Sequence, residues 1–315
     1  MLMLTLALLA GPVSTEIALP AQPAPLHGTL LAPDTATAVA VILPGSGPTD
    51  RDGNSPIGVS ASTYRLLAEG LAAQGIATVR IDKRGIAASA AAGPAETDLR
   101  FDAYVADARA WADEAAGRAG KPCAWLIGHS EGALIALKAV EGGDGPESSK
   151  VCGLILLSGA GRPAGAVIRE QLAALPEPMK AQAFSALTEL EAGRTVADTP
   201  PALAALFRPS VQPYLISWLP LDPAVLIAAY GGPVFIGQGT ADIQVGVADA
   251  QALAAAAAAA APQATLKLWD GVNHVLKTAP ADRAANIAAY SNPDLPLAPD
   301  VVEDVAAFIQ ARTPH

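Results

Sequence analysis

Short apolar runs alternate with amphipathic stretches along this chain, at residues 38–43, 76–81, 124–127, 153–157, 234–236 and 265–269. Runs this short and this continuous in aliphatic residues read as strands buried on both faces. The stretches between them carry apolar residues at helical spacing. In 62–74, Tyr64, Leu67 and Leu71 share one face and Gly75 ends the helix. Further helices are expected at 102–118, around 254–261 and at 299–311, and an opening hairpin pairs 16–19 with 27–31. Two-faced burial of strands joined by helices requires a mostly parallel sheet covered on both sides, so the fold class is α/β. With 315 residues, 51% of them hydrophobic, the chain can bury a large core and is not disordered.

The rhythm breaks between residues 162 and 230, which are helical in spacing and rich in proline. This stretch reads as a helical cap inserted into a core made of 16–161 and 231–315. Its residues Phe184, Leu187, Phe207, Tyr214 and Trp218 are candidates for a substrate pocket, against the plainer role of packing the cap onto the body.

Gly128-His129-Ser130-Glu131-Gly132 sits between the apolar run 124–127 and a helical run beginning at Ala133. Strand, G-x-S-x-G, helix is the sequence form of a nucleophile elbow, which lifts a serine hydroxyl above the sheet on a strained turn. The flanking glycines leave room where a side chain would clash. A serine needs a base, and the base needs an acid to orient it. In hydrolases built this way the chain order is Ser, acid, His. Asp242 follows the run 234–236 and His274 follows the run 265–269, so both belong beyond the carboxyl ends of strands, on the edge that carries Ser130. Of the four histidines, His27 lies in the hairpin, His129 in the elbow and His315 at the end, which leaves His274 as base. Asp270 and Asp222 are rival acids. Acyl transfer also needs donors for an oxyanion. The backbone N–H groups of Glu131 and Ser46 are expected to supply them, with Gly47 as the alternative to Ser46.

The net charge of −10 argues against nucleic acid as a partner. No spacing suits a metal site, and neither a cofactor nor an integral membrane segment is expected. The partner called for is a small-molecule ester. Residues 1–10 are almost wholly apolar and resemble the core of a secretory signal, without a basic residue before Arg51, so 1–15 reads as an N-terminal apolar segment. This tilts the localisation toward periplasmic or secreted. Cys123 and Cys152 stand near the starts of neighbouring strands; a disulfide is conceivable there, but two small apolar sheet residues are the favoured reading.

The string running from Leu43-Pro44-Gly45-Ser46-Gly47-Pro48 through Asp50-Arg51-Asp52-Gly53-Asn54, the elbow, and the segment from Ser210 to Pro223 resemble bacterial α/β-hydrolase carboxylesterases of the EstD type. The resemblance spans nearly the whole chain from about Glu16. It implies the α/β-hydrolase fold with an eight-stranded sheet, a helical cap, and esterase activity on short to medium acyl chains. Carried over by motif, its triad falls on Ser130, Asp242 and His274. One departure stands out: Arg80-Ile81-Asp82-Lys83-Arg84-Gly85 is followed by Ile86-Ala87-Ala88-Ser89, without the second glycine often found there. The charged Asp50-Arg51-Asp52 cluster is expected to pin its loop in place of touching substrate. Within enzymes, a peptidase or amidase and a thioesterase share this triad; outside them stands a non-catalytic binding protein on the same fold.

Overall fold

The computed structural model describes residues 11–142, 150–258, 260–261, 264–280 and 282–313. In chain order the first half holds β1 (Val13–Leu19), β2 (Leu26–Ala32), β3 (Ala38–Leu43), a short ribbon of β4 (Asn54–Ser55) and β5 (Val59–Ser60), α1 (Thr63–Ala73), β6 (Ile76–Ile81), α2 (Phe101–Arg118), β7 (Ala124–His129), α3 (Glu131–Ala139) and β8 (Val151–Leu157). Then come α4 (Ala164–Leu172), α5 (Met179–Glu191), α6 (Ala204–Phe207), α7 (Gln212–Trp218) and α8 (Pro223–Ala228). The chain returns to the sheet with β9 (Val234–Gly239), α9 (Val247–Ala257), β10 (Thr265–Trp269), α10 (Arg283–Ala288) and α11 (Pro299–Gln310).

Eight strands form one sheet in the order β1-β2-β6-β3-β7-β8-β9-β10. The β1–β2 and β2–β6 pairs are antiparallel; every pair from β6 to β10 is parallel. All six residues of β3, β6, β7 and β9 are buried. Alternation still decides which layer each one joins. Val39, Val41 and Leu43 face the layer holding α2, α3, α9 and the helices after β8, whereas Ala38, Ala40 and Ile42 face α1 and α11. This two-sided covering is why the central strands read as unbroken apolar runs.

Three expectations change. The helix placed around 254–261 starts earlier, at Val247, because the extended Gly246 opens it, and it ends at Ala257. Residues 13–15, assigned to the N-terminal apolar segment, belong to edge strand β1, paired to β2 from Val13 onward; residues 1–10 and His315 lie outside the described residues. Cys123 and Cys152 form a disulfide, with Cα atoms 5.2 Å apart. The parallel pairing of Ala124 with Val151, with a register shift just after it, brings the two cysteines across from each other. In the loop where the second glycine is missing, Ala87 takes a left-handed backbone (φ 44°).

Candidate active site

Parallel strands deliver their carboxyl ends to one edge, and the three chemically expressive loops emerge there. Ser130 ends β7 and opens α3, with φ 55° and ψ −119°, a region an L-residue occupies only when its surroundings enforce it. The enforcement is visible on both sides. A Cβ on Gly128 would lie 2.2 Å from the Gly132 carbonyl oxygen, and one on Gly132 would lie 2.3 Å from that of Leu43. Only glycine admits so close an approach of three backbone segments.

Asp242 and His274 meet after β9 and β10. The Asp242 carboxylate, with no exposed side-chain surface, is 2.8 Å from His274 Nδ1. Its second oxygen accepts the N–H groups of Gln244 (2.8 Å) and Val245 (3.0 Å), while Gln238 Nε2 donates at 3.1 Å to the oxygen that faces His274. Burial alone would raise this carboxyl group. The His274 imidazole and the two N–H donors outweigh burial and hold it at about 2. An ionised carboxylate can only accept, so Nδ1 carries a hydrogen, and whenever the ring holds a single hydrogen Nε2 is the acceptor. The rival acids are engaged elsewhere. Asp270 accepts from Thr240, and Asp222 caps α8 through the N–H of Ala224.

Ser130 Oγ carries no hydrogen bond among the described residues, and the link between its loop and that of His274 runs through His129. His129 Nε2 is 2.7 Å from the His274 carbonyl oxygen and its Nδ1 is 2.9 Å from the Tyr64 hydroxyl. A carbonyl only accepts, so Nε2 donates, Nδ1 accepts from Tyr64, and Tyr64 in turn accepts the Gly45 N–H at 2.9 Å. Burial, with the neighbouring His274 ring adding to it, pushes His129 down to about 3, so it stays neutral. Sequence reasoning placed His129 in the turn and Tyr64 in the core. Their joint role carries no pattern, because the two residues are 65 positions apart.

Neither the Ser46 nor the Glu131 N–H has a protein acceptor among the described residues, and both residues line the cleft that exposes Ser130. Gly47, the alternative, does not line it. The cleft has a volume of about 110 Å³ and opens to solvent, and Leu134, Ala164, Val167, Ile168, Trp218 and Val245 make its apolar wall. Of the five pocket candidates, Trp218 alone is there. Leu187 and Phe207 are fully buried inside the helical stretch, Leu187 on the apolar stripe of α5 that packs against α4 and α7, and Phe207 at the end of α6. Phe184 is half-buried on α5, away from the cleft lining. Tyr214 is drawn inward by its hydroxyl, which donates to Glu131 Oε1 at 2.5 Å.

That contact also corrects the view of Glu131 as a backbone donor only. Its carboxylate is buried with Lys83, Nζ to Oε2 3.1 Å, and Lys83 Nζ donates onward to the Gly45 carbonyl at 2.5 Å. The charged Asp50-Arg51-Asp52 cluster pins its loop as expected. Arg51 holds Asp82 and Glu16, Asp52 pairs with Arg80, and Asp50 accepts the N–H groups of Asp52 and Asn54.

The whole architecture has close counterparts among solved structures. An esterase from Pyrococcus furiosus superposes with a TM-score of 0.60 at 15% identity, over 96% of this chain and 94% of that one. Est1E from Butyrivibrio proteoclasticus, with ferulic acid bound, gives 0.61 at 17% identity over 94% and 98%. A bromoperoxidase from Bacillus anthracis gives 0.54 at 13% identity over 94% and 100%. The fold is that of the α/β-hydrolases. The sequence model of the serine aminopeptidase S33 family matches residues 57–201, which run from the β4–β5 ribbon through the elbow into the helices after β8. No curated protein matches the chain. Among the described residues, no helix is long and apolar enough to cross a membrane.

Proposed function

We propose that this α/β-hydrolase is a serine carboxylesterase of the EstD type, cleaving short- to medium-chain carboxylic esters through an acyl-enzyme. The observation that carries the reading is the state of His274. Its Nδ1–H is fixed on a buried, ionised Asp242, so its Nε2 is a ready proton acceptor on the edge that presents Ser130. Ser130 Oγ attacks the ester carbonyl as Nε2 takes its proton, and the oxyanion settles on the N–H groups of Ser46 and Glu131. The imidazolium returns the proton to the leaving alcohol. Water then repeats the sequence on the acyl group and frees the acid. Asp242 stays ionised throughout.

Amide and thioester cleavage use the same groups, and the S33 match names a peptidase family. The cleft wall favours esters over peptides with a free amino end. Glu131 is its one carboxylate among the described residues, and that carboxylate is already engaged by Lys83 and Tyr214. Residues 162–230 act as the cap that supplies Trp218, Val167 and Ile168 to the acyl pocket. The disulfide suits an oxidising, periplasmic or secreted setting. Parallel turnover of p-nitrophenyl esters from acetate to decanoate, an aminoacyl amide and an acyl thioester tests the reading. Esters of short to medium length should dominate, and Ser130→Ala should abolish turnover with the fold intact. Retained turnover in that variant removes Ser130 as nucleophile.

A further inference from the structure

Gly45 is held from both sides by buried side chains that the reaction itself does not use. Its N–H donates to Tyr64, and its carbonyl accepts from Lys83 Nζ at 2.5 Å. Both Lys83 and Tyr64 are nearly inaccessible, at 4% and 3% exposure. The peptide that follows, Gly45–Ser46, is trans. In a trans peptide the carbonyl and the next N–H point in opposite directions. Drawing the Gly45 oxygen toward Lys83 therefore turns the Ser46 N–H the other way.

We infer that Lys83 is a positioning residue that locks the Gly45–Ser46 peptide with its N–H turned into the cleft, and that the Glu131 carboxylate is the counter-ion that keeps Lys83 in place. The inference rests on the proposed esterase reading. A peptide between Gly45 and Ser46, followed by Gly47 at φ 70°, has little steric resistance to flipping. Flipped, it would present a carbonyl oxygen where negative charge develops, repelling it. The lock is placed inside the machinery it serves. Glu131 also gives the second oxyanion N–H from its own backbone, and its other carboxylate oxygen is held by Tyr214 of α7. One buried ion pair thereby ties both donors to each other and to the helices over the cleft. The side chains of Lys83 and Glu131 are each 3% exposed, so the pair acts without solvent screening.

Removing Lys83 alone strands a buried carboxylate, so the deciding variant is the double Lys83→Met/Glu131→Gln, which removes both charges and leaves the Glu131 backbone position in place. With p-nitrophenyl butyrate, kcat should fall about 10- to 100-fold, short of the 10²–10³ typical of deleting a donor outright. KM should move by less than about threefold, because ground-state binding does not use the oxyanion donors. The inhibition constant of a trifluoromethyl ketone, whose hemiketal oxyanion occupies the same donors, should rise by the factor by which kcat/KM falls. Lys83→Arg, which keeps a cationic donor, should recover most of the loss. A double variant within threefold of wild-type kcat, or one whose loss lies in KM with inhibitor affinity unchanged, overturns the lock. A wild-type protein that turns over no ester fails the esterase reading instead, and is recognised before any variant is made.

Discussion

Lowering the pH from 7 to 5 should cost this fold about 2 kcal/mol through one side chain. His129 is neutral in the native state, with its ring pushed from 6.5 to about 3 by burial and by the adjacent His274. Unfolded, it recovers the ordinary value. Between those two values the unfolded chain binds the extra proton, so stability rises with pH across that window. The contribution is fully present above about pH 6.5 and is lost as the pH falls toward about 3. For a single site with these two values, the loss is negligible at pH 7 and about 2 kcal/mol at pH 5. The geometry explains the resistance to protonation. Nε2 already donates to the His274 carbonyl, and a second proton on Nδ1 would confront the Tyr64 hydroxyl with a donor where it needs an acceptor. Urea unfolding at pH 7, 6 and 5, compared with His129→Gln, isolates this residue from every other titrating group. Glutamine can donate and accept but does not ionise. It should therefore lower stability at pH 7 while removing about 2 kcal/mol of the wild-type fall between pH 7 and 5. Curves for the two proteins that stay parallel within about 0.5 kcal/mol would falsify the buried neutral ring.

Three other outcomes follow from single contacts. Gly132→Ala should destabilise by about 3 kcal/mol, because its Cβ would lie 2.3 Å from the Leu43 carbonyl oxygen where neither backbone can retreat; a thermal shift equivalent to less than about 1 kcal/mol contradicts the close approach. Replacing Cys123 and Cys152 together by Ala frees a 29-residue separation in the unfolded chain, an entropic loss of about 3.6 kcal/mol, and denaturant midpoints with and without reductant should report a drop of that order in wild type and none in the variant. Ala87→Gly should stabilise by about 0.5–1 kcal/mol, since Ala87 sits at φ 44° where a Cβ is penalised more than the flexibility of glycine costs; a destabilised variant would show that the loop is not strained.

How much of this could be read from the sequence depends on whether the information is local. The parallel sheet was legible because two-sided burial leaves unbroken aliphatic runs, and its eight strands appear in the structure. Asp242 and His274 were legible because each follows such a run directly, and the structure brings them within hydrogen-bond distance. The pocket was not legible. An apolar residue in these helices looks the same in sequence whether it packs on a neighbouring helix or faces substrate, and Leu187 on α5 and Phe207 on α6 pack. The disulfide is not legible either, because it depends on the register of two strands, which no single segment encodes.

The polar cluster behind the cleft was the least legible part, for a more instructive reason. Tyr64, Lys83, Glu131 and Tyr214 come from α1, the loop after β6, α3 and α7, and each has an ordinary local explanation as a core aromatic or a strand-end charge. What unites them is that a buried donor or acceptor must find a partner, and they find one another around Gly45. The loop expected to offer the Ser46 N–H is gripped at both the N–H and the carbonyl of Gly45. Glycine at position 45 supplies space as well, since a Cβ there would meet the Cβ of Ser130 at 3.3 Å. The same residue that lets the backbone come close enough to serve an oxyanion removes the steric preference that would have oriented it. An external clamp is then the physical consequence of that choice, and Lys83 and Tyr64 are placed to be the clamp.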